Sequence, residues 1–414
     1  MTIKLRLRLY KFITTQVERL DKSGRRKSEK NKMSKSVAVV GAGAWGGWTA
    51  FLLQKAGFKV SLIDKNGPGN IDSGSGGKTR IIRLAYGGSQ VYTDLTAQSF
   101  ELWEEYSNAW NDKLYHEKAA LWMFRGIAPA YAELSVPLMK EKGLRLDALD
   151  MQILKQKYPQ LNLADITSAY WEPKVAYLEA NRACGLVVEK FIEAGGNYLK
   201  DEVIGVDYEG SKVKSLRLPG ETLLQADEYV FACGPWLTKL VPEMRDLIHI
   251  SRHEVYYFDA PEAYNDLPIW LEFREGDQMY YGIPDHFGQG FKFAYDERRW
   301  SLDPDHDDRG ITDEILEKMS EVLTNRFPEL KGAVALKHHT CVYENSLDGD
   351  FIIDRVPNAD NALMLAGSSG HGFKMGPAIG KLVEEHLINQ KPIPSEFSMS
   401  RFSAQTNRKS QYEV

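Results

Sequence analysis

The stretch Ser36-Val-Ala-Val-Val-Gly-Ala-Gly-Ala-Trp-Gly46 constrains the fold of this chain more than any other. Its β-branched apolar run reads as a strand buried on both faces, the kind found in parallel sheets. Gly41, Gly43 and Gly46 then follow in a G-x-G-x-x-G arrangement. The first glycine permits a tight turn, the second lets a diphosphate approach the backbone, and the third lets helix and strand pack closely. Residues 44–56 carry the pattern of that helix, and Lys59-Val-Ser-Leu-Ile-Asp64 reads as the next strand. Together they predict a βαβ unit whose helix N-terminus offers unpaired N–H groups to phosphates. Asp64, at the end of the second strand, is placed to bind ribose hydroxyls.

Downstream, helices are predicted over Glu101–Asn111, Asn181–Ala194 and 375–390, with strands at Val203–Tyr208, Lys212–Leu218, Glu228–Ala232 and Leu363–Ala366. From about 247 to 337 the texture becomes aromatic-rich alternation, as in Phe291-Lys-Phe-Ala-Tyr-Asp296, with a helix inserted near 312–325. That pattern predicts a second, antiparallel or mixed sheet.

Three cysteines, Cys184, Cys233 and Cys341, cannot make a disulfide framework and point to a reducing, cytoplasmic setting. No run approaches the ~20 apolar residues of a membrane span. The net charge of −5 hides a basic N-terminal arm, where residues 1–35 hold twelve Lys/Arg against three acidic residues. Met33 opens the segment that leads into the first strand, so the arm reads as a disordered extension rather than a nucleic-acid-binding element.

Lys78-Thr-Arg-Ile-Ile-Arg83 follows a glycine/serine loop, and on a helical turn Arg80 and Arg83 would face one cleft. Arginine forks suit carboxylates. His338 and His339 stand close enough to Cys341 to favour its thiolate.

These elements occur in one order: the glycine turn with Asp64, Thr79-Arg-Ile-Ile-Arg-Leu-Ala-Tyr86, Ala232-Cys-Gly-Pro-Trp236, Tyr280-Tyr-Gly-Ile-Pro284, Phe291-Lys292, Cys341-Val-Tyr343 and Ser369-Gly-His-Gly-Phe-Lys374. In that order, from residue 36 to about 394, the chain resembles the monomeric sarcosine oxidase and N-methyltryptophan oxidase family, within the FAD-dependent D-amino-acid-oxidase superfamily. The resemblance implies an α/β protein with a Rossmann-like FAD-binding domain (36–118, 172–246 and 338–394), a substrate domain (119–171 and 247–337) and a tail at 395–414. It implies FAD joined through sulfur to Cys341. Gly41, Gly43, Trp45, Gly46, Asp64, Lys65, Thr79, Arg80, Val203, Gly234, Trp236, Tyr343, Gly370, Gly372 and Phe373 would cradle the cofactor. Arg83 and Lys374 would clamp the substrate carboxylate, with Lys374 also touching the flavin side. Lys292 would promote reaction with O2, and Tyr281, His371 and Asp296 would line the pocket.

Two positions depart from that pattern. The loop before Thr79 carries Gly76 and Gly77 where the family often has a histidine, and Asp296 stands where sarcosine oxidase has a pocket histidine. Asp296 has three ways to be compensated: pairing with Arg298 or Arg299, protonation, or pairing with substrate. The expected reaction is oxidation of the C–N bond of a secondary α-amino acid, with hydride to flavin N5, imine hydrolysis and H2O2 formed from O2. The partners are then a small-molecule amino acid and O2, with a monomer favoured and the oligomeric state left open, and with no metal ligand set assigned. Rival readings are a primary-amine or glycated-amine oxidase and a flavin dehydrogenase with a quinone or carrier acceptor.

Overall fold

The computed structural model describes residues 35–403, except 277, 287 and 299, together with Tyr412. The basic arm up to residue 34, Arg299, and residues 404–411, 413 and 414 of the tail lie outside the described residues.

The opening motif folds as its spacing dictates. Strand Ser36–Val40 feeds helix Ala44–Lys55, which returns to strand Lys59–Ile63, and the two strands pair in parallel. Ser36–Val40 is also paired in parallel with Glu228–Phe231, which in turn neighbours Ala362–Ala366. Asn197–Leu199 and Ile352–Arg355 complete a six-stranded sheet, the last of them antiparallel. Its central strands are buried on both faces because helices Ala44–Lys55, Ala180–Glu193 and Gly376–Asn389 cover one side and the small sheet Gly205–Glu209, Lys212–Arg217, Leu223–Leu224 supplies apolar residues on the other.

A nine-stranded sheet forms the second layer. From one edge it runs Ala335–Ser346, Ile248–Phe258, Phe291–Asp296, Met279–Ile283, Ile269–Phe273, Tyr115–Arg125, Ile166–Glu179 and Thr79–Ile82, and the ninth strand, Asp147–Ala148, pairs off this path with Ile166–Glu179. All pairs on this path are antiparallel except Ile269–Phe273 with Tyr115–Arg125, so the sheet is mixed. Thr79–Ile82 and Ala335–Ser346 belong to this sheet although they flank segments of the other.

The alternation in Phe291-Lys-Phe-Ala-Tyr-Asp296 has a direct consequence, because successive side chains of a strand leave opposite faces. Phe291, Phe293 and Tyr295 enter an apolar core with Trp270, Phe327 and Met319 beneath helix Asp313–Arg326. Lys292, Ala294 and Asp296 are left facing the other layer. Register then sets Tyr257 opposite Lys292, and Val255 and Tyr281 opposite Ala294. Pairing of the edge strand adds Cys341 opposite His253 and Tyr343 opposite Ser251. One sheet face thus gathers an ammonium, a carboxylate, a thiol and phenols, all buried against the dinucleotide-type layer.

Among the described residues no helix is long and apolar enough to cross a membrane.

Candidate active site

A cleft of about 360 Å³ runs along the ends of the parallel strands, lined by Gly41, Gly43, Trp45, Asp64, Lys65, Val203, Gly234, Trp236, Val342, Glu344 and Phe373 among others. Its floor is backbone. Gly41 has φ +103°, and a Cβ there would sit 2.2 Å from the Ala232 carbonyl oxygen. A Cβ on Gly46 would fall 1.9 Å from the Gly41 carbonyl, so only glycine lets helix and turn close. Asp64 braces the turn: its carboxylate accepts N–H bonds from Ala42 at 2.7 Å, Asn66 at 3.0 Å and Gly67 at 2.6 Å. Lys65 reaches outward to Glu202 at 3.0 Å. Helix Ala44–Lys55 has no side-chain cap from Gly43, although Ser75 Oγ accepts the Ala44 N–H at 3.0 Å. Bare N–H groups at a helix start, opening into a cleft, form an anion cradle.

Gly372 and Gly370 admit rings instead of phosphates. A Cβ on Gly372 would lie 2.6 Å from Trp45, whose indole N–H donates to the Gly372 carbonyl at 2.9 Å. Gly370, at φ +76°, would clash with the Tyr343 ring at 2.3 Å if it carried a Cβ.

Phe373 lines both this cleft and a second cavity of about 50 Å³. The smaller cavity is bounded by Arg80, Arg83, Tyr281, Lys292, Asp296, Tyr343, Gly370, His371, Lys374 and Tyr412. Arg83, Lys292, Asp296 and Lys374 are each no more than 6% exposed. The Lys292 ammonium donates to the Thr79 carbonyl at 3.0 Å and its hydroxyl at 3.2 Å, and lies 5.7 Å from the Tyr281 ring centre. Burial and then the neighbouring Arg80 bring Lys292 down to about 7. Lys374, which donates to the His371 carbonyl at 2.8 Å, is held well below the usual lysine range by burial and by Arg83. Burial and then Lys374 hold His371 well below the usual histidine range, and its Nε2–H donates to Gly349 O at 3.1 Å. Burial raises the Asp296 carboxyl, against the opposing pull of Arg298 and Arg83. Arg298 Nε lies 3.7 Å from it and forms the ion pair anticipated as one of three compensations.

Cys341 lies beside Arg80, which borders the small cavity. Burial alone would raise its thiol, but Arg80 and His339 outweigh it and bring Cys341 down to about 6. Arg80 Nη2 and His339 Nε2 lie 3.5 and 3.4 Å from the sulfur. Cys184 and Cys233 show the contrast: burial pushes Cys184 up to about 12 although Ser75 and Arg80 oppose it, and burial with Glu344 pushes Cys233 higher still.

One local expectation is corrected. Thr79–Ile82 is a strand, not a helical turn, because its β-branched residues pair with Ala176–Glu179. Residues three apart on a strand diverge, and Arg80 and Arg83 have different tasks as a result. Arg80 donates to the carbonyls of Gly74, Gly76 and Thr79 and faces Cys341. Arg83, just past the strand, donates to the Ala85 carbonyl and lies 4.6 Å from Tyr86 and 5.2 Å from Trp122. Both still border the small cavity.

Three contributors were not singled out from the sequence. Glu172 is buried behind Arg83 and accepts from Leu84 N at 2.6 Å, Ala85 N at 3.3 Å and Trp122 Nε1 at 3.1 Å. His253 stacks on Tyr343 at 3.7 Å. Tyr412 reaches Arg83 Nη2 at 3.4 Å. Only Glu172 left a trace in sequence, as an acid directly after the aromatic pair Tyr170-Trp171.

Comparison with known proteins bears on this geometry. The profile of the FAD dependent oxidoreductase family (DAO) matches residues 36–386, and the chain belongs to that family. Monomeric sarcosine oxidase of Bacillus sp. (strain B-0618) is 28% identical over 376 residues, 89% of this chain and 95% of that protein. N-methyl-L-tryptophan oxidase of Salmonella arizonae is 27% identical over 90% of this chain and all of its own length. Among solved structures, L-proline dehydrogenase from P. horikoshii superposes with a TM-score of 0.78 at 22% identity, covering 89% of this chain and 98% of that one. Fructosamine oxidase (Amadoriase II) from Aspergillus fumigatus gives a TM-score of 0.74 at 17% identity over 88% of each chain. The cofactor of an FAD-dependent oxidoreductase needs a diphosphate cradle, a ribose-side acid and an aromatic-lined ring site, and the residues of the cleft fit that need.

Proposed function

We propose that this chain oxidises the C–N bond of a secondary α-amino acid, N-methylated or cyclic, with O2 as electron acceptor. The observation that carries the reading is the small buried cavity where two cations, Arg83 and Lys374, border one space beside Lys292 and Asp296. Two buried cations facing one cavity are poorly solvated, and a carboxylate between them relieves both.

Gly41, Gly43, Gly46 and Asp64 would hold the adenosine and diphosphate end of FAD, with Arg80, Cys341, Tyr343 and Phe373 at the ring end. Bound there, the flavin would supply the acceptor for a hydride from a carbon attached to the substrate nitrogen and would return the electrons to O2 as H2O2. Cys341, with its thiol lowered by Arg80 and His339, would hold the ring through a thioether. Arg83 and Lys374 fix the substrate carboxylate, so that the amine is presented in one orientation, a positioning contribution to rate. Glu172 acts through Arg83: it fixes the backbone immediately after it. Lys292 supplies positive charge on the sheet side, and Thr79 keeps its ammonium in place. Asp296 is only partly compensated by Arg298 and offers an acceptor to a substrate bearing a second donor group.

The test is anaerobic bleaching of the purified yellow protein by a panel of N-methyl, cyclic, primary and glycated amino acids. Secondary α-amino acids should bleach it fastest, and amines carrying a basic or hydroxyl group should outrank sarcosine, with Asp296→His moving the order back. Bleaching confined to glycated or primary amines would overturn the substrate class, and an unchanged ranking in Asp296→His would reduce Asp296 to an ion-pair partner. For the cofactor link, flavin fluorescence should travel with the denatured polypeptide on a gel and leave it in Cys341→Ser.

A further inference from the structure

Away from both cavities, three metal-ligating side chains converge where the end of strand Ile166–Glu179 meets its neighbours. His116 Nε2 lies 2.7 Å and His286 Nε2 3.8 Å from Glu179 Oε1. The three atoms all lie within 4.8 Å of one another. They come from separate elements: His116 from Tyr115–Arg125, Glu179 from the end of Ile166–Glu179, and His286 from the connection after Met279–Ile283.

The surroundings orient each one. Tyr177, directly across from His116 in register, stacks on that imidazole at 4.9 Å and 15°. The same tyrosine places its hydroxyl 2.8 Å from His286 Nδ1. If Nδ1 carries the hydrogen and donates to Tyr177, Nε2 keeps its lone pair toward Glu179, the outer hydrogen bonding usual for metal-binding histidines. On the other side Arg182 donates to Glu179 Oε2 at 3.1 Å and is itself paired with Asp112. The guanidinium occupies one carboxylate oxygen and turns the other between the imidazoles. A simple His–Glu ion pair needs a single imidazole, whereas here the two rings stand 4.6 Å apart. Neutral imidazole is the ligand form.

We propose that His116 Nε2, His286 Nε2 and Glu179 Oε1 form a zinc site, with water in the fourth position. Nitrogen donors exclude the all-oxygen preference of Ca2+ and Mg2+. Tetrahedral bonds of about 2.0–2.1 Å place ligand atoms roughly 3.3 Å apart. The 2.7 Å spacing must therefore open and the 3.8 Å spacing close, each by about half an ångström, a side-chain adjustment. A solvent cleft lined by Asp112, His116, Glu117 and Tyr177 gives the ion a way in and the water a place. The ion would brace two strands and a connecting loop, and with them the end of the active-site wall, because Glu179 pairs with Thr79, which holds Lys292.

The test uses the full flavin-loaded chain, stripped with a chelator and titrated with Zn2+ alone. One zinc per chain should bind, and X-ray absorption should show nitrogen and oxygen donors at about 2.0–2.2 Å with two imidazoles and no sulfur at about 2.3 Å. His286→Gln and His116→Gln should each weaken binding more than about tenfold while the flavin spectrum is unchanged. Failure of wild type to bind Zn2+, a sulfur ligand, or undiminished affinity in a yellow His286→Gln protein would overturn the site. Should the variants not fold, the ligand set seen by absorption in wild type decides alone.

Discussion

The long cleft and the small cavity meet at Phe373, yet they are made in opposite ways. The cleft is a backbone surface, where missing Cβ atoms and bare N–H groups shape the space. The cavity is a side-chain surface, where buried charges from three distant segments face one another. Steric tolerance governs the first and electrostatic compensation the second. Changes in the cleft should therefore act nearly all-or-none, and changes in the cavity should be graded and sensitive to pH.

The sharpest break of that comparison is at Gly46. An added methyl would lie 1.9 Å from a carbonyl oxygen that has no flexible side chain to move aside. Gly46→Ala is expected to yield colourless protein with no flavin after gel filtration. Near-stoichiometric flavin in that variant would show that the turn yields, and the steric account of the cleft would fail.

The same contrast explains what could be read from sequence. Backbone close approach requires glycine at fixed spacing, so Gly41, Gly43, Gly46 and the strand-ending Asp64 announce the cleft within 30 residues. The alternation in Phe291–Asp296 likewise announced a two-faced strand and left Lys292 and Asp296 together on one face. What stayed hidden depends on register between distant strands. Nothing local to Glu172 says that its carboxylate will meet the N–H groups of Leu84 and Ala85, and nothing local to Tyr412 says that it will reach Arg83. The misread turn at Thr79–Ile82 has the same origin, since pairing with Ala176–Glu179, remote in sequence, makes it a strand.

Within the cavity, Lys292 should give the largest graded effect. Lys292→Met should still take up flavin and be bleached by substrate, yet recover its colour in air about a hundredfold more slowly. Lysine is charged below its pKa, and Lys292 is lowered to about 7. In wild type the recovery should accordingly slow as pH rises through that region, and in Lys292→Met the dependence should vanish. Equal recovery rates in the two proteins would favour a different acceptor. Next come the clamp residues. A charge-assisted hydrogen bond contributes about 1.5–3 kcal/mol, so Lys374→Met and Arg83→Met should each lower kcat/KM by about ten- to a hundredfold. Substrate amides should lose a similar factor on wild type and little on the variants. Unchanged kinetics in Lys374→Met would remove the clamp.

The smallest expected effect lies at Arg80, which borders the cavity and holds the carbonyl of Gly74 in the wall of the cleft. It is the leading favourable influence that brings the Cys341 thiol down to about 6 against the opposing effect of burial, with His339 second. The reactive form of a cysteine is the thiolate, so attachment of FAD to flavin-free protein should quicken as pH rises through about 6 and level off above it. Arg80→Met removes the guanidinium but leaves His339 3.4 Å from the sulfur. The thiol pKa should then rise, moving the profile to higher pH and slowing attachment several-fold at neutral pH, while raising the pH restores it. Arg80 also donates to the carbonyls of Gly74 and Gly76, so a purely structural role would slow attachment at every pH alike. Following in-gel flavin fluorescence against time across pH separates the two. A profile displaced along the pH axis makes Arg80 an electrostatic partner of Cys341, whereas a uniform loss assigns it to the loop that it holds.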